Sequence, residues 1–568
     1  MKYGIRGKGD VNLIGTDFVT SGGEAQIFRK GKTIYKIYHN PNDMIPDGKI
    51  IELQEIKNKR VLVPKDIILD NKGTRVGFTM DDVEKAVPLC KLFANAYLDQ
   101  NDISNDTLIE LVKFMQETIQ EIHSTKSKCI QVDGNELNYL ADETDYKTCH
   151  FIDVNSYQTK SFPAKVIMPS IRDWTAKAFN ELTDWYSFAI IVCQLIIGTH
   201  PFKGKHPDFK RHDLEARMRA NVSIFNPKVQ VGKSVRDFSR VPSNYMQWFI
   251  NLFEEGKREM PPSTVGQVNA KVNYIVVTST DNFIIEEVGV FDDTILFHSN
   301  LNGVSVTRTK KSIYIGTSKT PVSKGVYLVH TPKILTPVLV KLENEKVVIK
   351  SLNTKVEVKL GSEMSADELF IVDDTIYIRQ GGNLIEMRFL ENTWSSMLLT
   401  KTIWPISENS SQMFKGVIVQ DLLGAKHISI PIPHPTNGRM ITIRYSELDG
   451  YKVLDAKYDN KVAIFSVFNS KTNEYGLFVL SNIENAKYDS RFINTNDLNQ
   501  VNFTTLDNGI VILIYDYQME IFSNQPSSGP SKIKIIKDPE LDSSMSLCRR
   551  GVSTRFFTDN KLYSIKMK

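Results

Sequence analysis

Between Thr16 and His39 apolar and polar positions alternate in three short runs, TDFVTSGG, AQIFRKG and KTIYKIYH, separated by tight polar turns. A period of two is that of a half-buried strand, so three strands are predicted there. The rhythm changes at SNDTLIELVKFMQETIQEIH, where Leu108, Leu111, Val112, Met115, Ile119 and Ile122 recur at helical spacing. That pattern predicts an amphipathic helix ending at His123, with Asp106 as its N-cap. PDFKRHDLEARMRA and SNYMQWFINLFEEG carry the same period, and GKIIELQEIKNK a shorter one. The run WYSFAIIVCQLIIG, from Trp185 to Gly198, is apolar nearly all round. It falls short of the ~20 residues of a membrane-spanning helix and reads as a buried core helix.

Beyond about residue 268 the helical period disappears. Short β-rich runs take its place: DDTILFHS, KSIYIGTS, EKVVIKSL, DDTIYIRQ, DNKVAIFSV, DNGIVILIY and DNKLYSIKM. Several follow an Asp-Asp or Asp-Asn turn, and the last four stand one or two units of ~40–50 residues apart, the length of a four-stranded propeller blade. An all-β domain over 270–568 is expected, a β-propeller of about six or seven blades; a pair of β-sandwiches would give similar runs.

A chain of 568 residues exceeds what one core can hold, so at least two domains are expected. Hydrophobic content of 41% and charged content of 24% are those of ordinary globular protein. The net charge of +4 is small and no basic tract is interleaved with aromatics, so nucleic acid is not an expected partner. Five cysteines are scattered without metal-ligand spacing, and MKYGIRGKGD has no apolar signal core. Together these place the chain in the cytoplasm as a soluble protein with free thiols and no membrane contact.

The candidate chemistry begins at VDGNELN, where Asn138 follows Asp133 by five residues. That is the spacing of a phosphoryl-transfer loop, in which the Asp receives a hydroxyl proton and the Asn holds a metal ion. It is also a common composition for a polar surface turn. The other parts of such a site have candidates too. Gly22 and Gly23 stand in the turn TSGGEAQIF, where backbone N–H groups could approach phosphates, although glycines are ordinary in hairpin turns. Lys36 sits on an otherwise apolar strand and needs an anionic partner, or guards a sheet edge. Glu52 and Glu55 lie on the short helical stretch, where either could pair with Lys36 or face solvent. Asp153 ends the apolar pair Phe151-Ile152, which is costly unless the carboxylate is paired, metal-bound or capping its own turn.

In order, spacing and flanking residues, about 12–265 resembles a divergent prokaryotic Hanks-type serine/threonine protein kinase. Gly22 matches the middle glycine of the nucleotide loop, Lys36 the strand lysine, and VGFTMDDV the strand and hinge that meet adenine. QVDGNELN aligns with HRDLKPEN, FIDVNSYQ stands where DFG belongs, and LTDWYSFAIIVCQLIIGTHPFKG is similar to the large buried lobe helix. The resemblance implies an α+β bilobal protein-kinase-like domain that uses ATP and Mg²⁺ to phosphorylate Ser or Thr of a protein substrate. It makes Asp133 the base, Asn138 and Asp153 the Mg²⁺ ligands, and Asp184 a brace for the catalytic loop. Gly22, Gly23, Lys36 and Glu52 would serve the nucleotide, with Glu52 or Glu55 orienting Lys36. The β domain would bind a partner or substrate. Departures are the loss of the outer glycines at Thr20 and Ala25, of the His-Arg pair before Asp133, and of the catalytic-loop lysine at Asn135. Val154-Asn155 replaces Phe-Gly, and Met168–Ser170 is a poor APE. A pseudokinase scaffold whose β domain is the working surface is the alternative.

Two further signals are discounted. QVGKS ends like a Walker loop, but Pro227 stands where its first glycine belongs. His123, at a helix end, reads as a C-terminal cap rather than a base.

Overall fold

A computed structural model describes residues 1–164, 166–210, 213–232, 235–262, 275–276, 282–301, 304–316, 318–352, 356–372, 374–392, 395–434, 438–484, 487–495, 500–525, 533–538, 541, 545–550 and 553–568. The expected boundary between 265 and 270, and Lys233-Ser234 of QVGKS, lie outside those residues.

The chain opens with a seven-stranded antiparallel sheet. Its strands are β1 (Lys2–Ile5), β2 (Gly9–Asn12), β3 (Phe18–Ser21), β4 (Ala25–Lys30), β5 (Thr33–Tyr38), β6 (Ile67–Leu69) and β7 (Arg75–Asp81), in the order β2-β1-β6-β7-β5-β4-β3. The three strands predicted between Thr16 and His39 are β3, β4 and β5. Alternation gives the sheet two apolar faces. Phe18, Phe28, Ile37, Ile68 and Val76 pack on one. Ala25, Tyr38, Ile67 and Phe78 pack on the other, against Ile50 of helix α1 (Asp47–Leu53). Lys36 therefore shares the α1 face with Tyr38.

Gly77 of β7 pairs with Ile37 of β5, and a Cβ on it would lie 2.0 Å from the Lys36 carbonyl oxygen. That neighbour is backbone and cannot move without breaking the ladder. Gly77→Ala is expected to destabilise the sheet by ~1–3 kcal/mol or more and to displace Lys36, read as a lower midpoint in thermal unfolding.

The helical part follows, as α2 (Asn95–Gln100), α3 (Asn105–His123), α4 (Glu181–Ile197), α5 (Leu214–Ala220) and α6 (Ser243–Phe253). Every apolar residue of the predicted stripe on α3 is buried, from Leu108 to Ile122. The N-cap is Ser104, whose hydroxyl accepts from Thr107 N at 3.1 Å, and not Asp106, which sits in the first turn. Serine at that position bonds the orphan amide directly, and an acidic group within the turn still favours the helix dipole. Helix α4 is buried from Thr183 to Ile197; it starts at a side-chain cap on Asn180 and stops at Gly198, with φ 81°. The strands β8 (Ala86–Pro88), β9 (Tyr139–Asp142) and β10 (Cys149–Phe151) form a small antiparallel sheet that meets α3. Among the described residues no helix is long and apolar enough to cross a membrane.

From Phe283 onward the described residues form seven sheets, six of them built of consecutive strands and the seventh of Phe283–Val290 with the last three strands of the chain. All seven predicted β-rich runs contribute a strand. The first strand, Phe283–Val290, pairs antiparallel with the last, Lys561–Met567. Each sheet shares apolar residues with the next: Val306 with Leu339, Val340 with Ile376, Tyr377 with Ile418, Ile428 with Val453, Ile464 with Val511, Met519 with Phe556. Ile295, in the sheet that starts with Ile295–Leu301, meets Cys548 and Leu562 of the sheet that holds both the first and the last strand. Three residues of this part, Leu454, Phe468 and Tyr475, are buried in the core cluster of the helical part.

Candidate active site

Four separate stretches of chain bring the candidate residues together. Lys36, on β5, is 8% exposed; its Nζ donates to Asp153 Oδ1 at 3.0 Å and to Asn155 Oδ1 at 3.0 Å. Burial by itself would lower the ammonium's pKa, but Asp153, Tyr38 and Glu24 outweigh it and hold the lysine above its ordinary value. Lys36 is thus a fixed cation on an interior strand, on the α1 face of the sheet, and does not guard an edge.

Asp153 follows β10 at φ 56°, ψ 32°, a left-handed turn that Asp tolerates better than most residues. Its carbonyl accepts from Ser156 N at 3.0 Å and from Ser156 Oγ at 2.8 Å, which closes the turn. Ile152 N donates to Asn138 O at 3.0 Å, so the Asp153 segment is tied to the Asp133–Asn138 loop by backbone.

Within that loop Asn138 Nδ2 donates to Asp133 O at 2.8 Å. The Asp133 carboxylate accepts from Met168 N at 2.8 Å through Oδ1 and from Asn135 Nδ2 at 3.1 Å through Oδ2. Burial pushes its pKa up, and these two hydrogen bonds recover only part of the shift. The loop is itself held by Asp184 of α4, whose carboxylate accepts from Gln131 N at 2.7 Å and Val132 N at 2.8 Å. Val132 has φ 64°, a conformation that a β-branched residue adopts only under constraint. The bond from Val132 N to Asp184 is that constraint.

Two expectations need correcting. Neither Glu52 nor Glu55 pairs with Lys36. Glu52 Oε2 accepts from Ser161 N at 3.3 Å and Glu55 Oε2 from Ser127 N at 2.8 Å. Helix α1 ends at Leu53, which leaves Glu55 outside it and Glu52 on the last turn facing a loop. Lys36 turns to Asp153 and Asn155 instead. His123 does not cap its helix; its Nε2 lies 2.9 Å from Asp184 Oδ2 and its ring meets Trp185 edge-on. Nothing in the sequence near His123 announces a partner 61 residues away. A buried Asp at the start of an apolar helix was the available signal.

Gly22 and Gly23 stand in the turn between β3 and β4. Gly22 N donates to Ala25 O at 2.9 Å, and Gly22 O lies 3.0 Å from His39 Nε2. Gly22 is thus braced through both its N–H and its carbonyl oxygen.

Asp153 and Asn138 suit a hard cation. Both offer oxygen, and with Nδ2 of Asn138 engaged its Oδ1 is the ligand end. Among the described residues no three His, Cys, Asp or Glu side chains gather into a metal cage. One carboxylate and one amide oxygen are what Mg²⁺ uses when waters and phosphates fill its remaining positions.

No family model matches the chain, and no curated protein matches it. Among solved structures it is similar to the kinase PK-1 of Cydia pomonella granulovirus, at 11% identity and a TM-score of 0.32, over 43% of this chain and 87% of that one.

Proposed function

We propose that the protein is an ATP- and Mg²⁺-dependent phosphotransferase that acts on Ser or Thr hydroxyls of a protein. The observation that carries this reading is the convergence of Lys36, Asp133, Asn138 and Asp153, from three stretches of chain, on one linked set of hydrogen bonds. Lys36 holds nucleotide phosphates with a cation that burial cannot neutralise. The turn at Gly22-Gly23 lies against them. Asp133 orients the acceptor hydroxyl and takes its proton, once Met168 and Asn135 release an oxygen. Mg²⁺ held by Asp153 and Asn138 would neutralise the charge developing on the transferred group. The seven ring-packed sheets support a propeller of seven blades, with the first strand closing the ring on the last, and such a domain offers a partner a broad surface.

A pseudokinase is favoured by one observation, that both Asp133 oxygens are taken by protein groups. The two readings separate with γ-labelled ATP, Mg²⁺ and a generic acceptor protein, using Asp133→Asn as control. Label that is absent in the control supports transfer. No label, and no Mg²⁺-dependent rise in melting temperature with ATP, sinks it.

A pH profile adds a check. Asp133 must be ionised to accept a proton, and burial has raised its pKa. The rate is expected to fall as pH falls through that raised value, so the acid limb should lie above the ordinary ~3.9 of an aspartate.

A further inference from the structure

The strands Val462–Asn469 and Glu474–Glu484 form a hairpin of the β-rich part, and its tip reaches both sides of the candidate active site. On one side it meets the glycine turn. A Cβ on Gly23 would lie 2.7 Å from Lys471 Cγ and 3.3 Å from Ser470 Oγ, so the tip covers that turn in van der Waals contact. On the other side it meets the catalytic loop. Tyr475 Oη donates to Glu136 Oε1 at 2.8 Å and lies 3.7 Å from Met168 Sδ. Met168 is the residue whose amide occupies Asp133 Oδ1.

The contact is built like a core and not like a chance touch. Tyr475 is 7% exposed and stacks at 4.6 Å, tilted, on Phe468, and both belong to the helical part's own apolar cluster together with Leu454. Lys91 Nζ donates to Leu454 O at 2.5 Å, fastening the adjacent strand. Beneath the hairpin Gln131, Asn135, Glu136 and Leu137 are all buried. A Ser or Thr on an extended acceptor must reach Asp133 past this cover. Lys36 meanwhile pairs with Asp153 rather than with a carboxylate of α1, and in protein kinases a lysine–helix ion pair is part of the active arrangement.

We infer that the tip of this hairpin, residues 468–475, is an intramolecular gate that closes the acceptor side of the site, and that phosphotransfer to a protein requires the tip to withdraw. The inference rests on the phosphotransferase reading for its consequence, though the closure itself does not. A partner that binds the β-rich part and draws this tip away would switch the enzyme on.

The test uses the full chain in two forms. Tyr475→Phe removes the hydroxyl that satisfies Glu136 and weakens closure. In Gly23→Cys/Lys471→Cys the new side chains start from positions where a Cβ at Gly23 lies 2.7 Å from Lys471 Cγ, close enough for a disulfide to bridge the contact, and the native cysteines are all buried, so oxidation locks the tip down. Hydrogen exchange of the amides of 131–138 is read alongside transfer of label from γ-labelled ATP to a generic acceptor protein. The gate predicts at least fivefold faster exchange and fivefold more transfer in Tyr475→Phe. It also predicts at least tenfold less transfer in the oxidised pair than in the same protein after reduction. Unchanged exchange in Tyr475→Phe, or equal and detectable transfer by oxidised and reduced pair, overturns the gate and leaves the phosphotransferase reading standing. Faster exchange with no label from any form upholds the closure and overturns the phosphotransferase reading.

Discussion

Asp153→Ala is expected to abolish measurable phosphotransfer, and Asp133→Asn to lower it by ~10²–10⁴-fold, the range that a positioned base contributes. The two losses should not add. Asp153 is joined to the Asp133 loop through the Ile152 N to Asn138 O bond, and Asn138 is joined to Asp133 by its side chain. Groups that act on one transition state fail together, so the double variant should be no slower than Asp153→Ala alone. The variants differ in what they do to the nucleotide. Asp153→Ala deprives Lys36 of its nearest anion, so ATP without Mg²⁺ is expected to stabilise that variant at least as well as wild type. The extra stabilisation that Mg²⁺ brings should be lost. Asp133→Asn should keep the Mg²⁺ effect intact. Single-turnover transfer and thermal shift, each with and without Mg²⁺, read both arms. Equal Mg²⁺ dependence in wild type and Asp153→Ala would remove Asp153 from the metal site.

How much of this was legible in the sequence depends on the range of the interaction. The strands β3 to β5, the stripe on α3 and the buried run of α4 follow from periods of two or 3.6 residues, which are local. Lys36, Asp133, Asn138 and Asp153 were findable because each is an anomaly for its own neighbourhood, a charge on an apolar strand or at a strand end. The partner of Lys36 was not findable, because three carboxylates stood within reach of the pattern and two of them are taken up by distant backbone amides, Glu52 by Ser161 and Glu55 by Ser127. Nor could Tyr475 be singled out. An aromatic in a β-rich run is an ordinary core residue, and its contact with Glu136 spans 339 residues of chain. The positive φ of Val132 is equally silent in sequence, since valine carries no signal for it.

That residue and its brace give the largest expected effect on stability. Asp184 has a side chain only 2% exposed, and its two oxygens serve Gln131 N, Val132 N and His123 Nε2. Asp184→Ala strands two backbone donors and a ring nitrogen in the core. Each unsatisfied buried group costs about 1–3 kcal/mol, so a loss of ~3 kcal/mol or more is expected. The loss has a local form. Without its acceptor the Val132 amide no longer gains from φ 64°, and the strain there, ~1–3 kcal/mol, is relieved by the loop moving away. Asp133, the next residue, moves with it. Phosphotransfer is therefore expected to fall even at temperatures where Asp184→Ala remains folded, while Mg²⁺·ATP stabilisation through Lys36 and Asp153 persists in part. Asp184→Asn keeps one acceptor oxygen and should be less harmful in both respects. Calorimetry of the full chain locates the loss: a multidomain chain need not melt in one step, and the transition that shifts should be the one that ATP also shifts. A shift confined to a transition that ATP leaves alone would detach Asp184 from the site, because the brace and the nucleotide would then belong to different cooperative units.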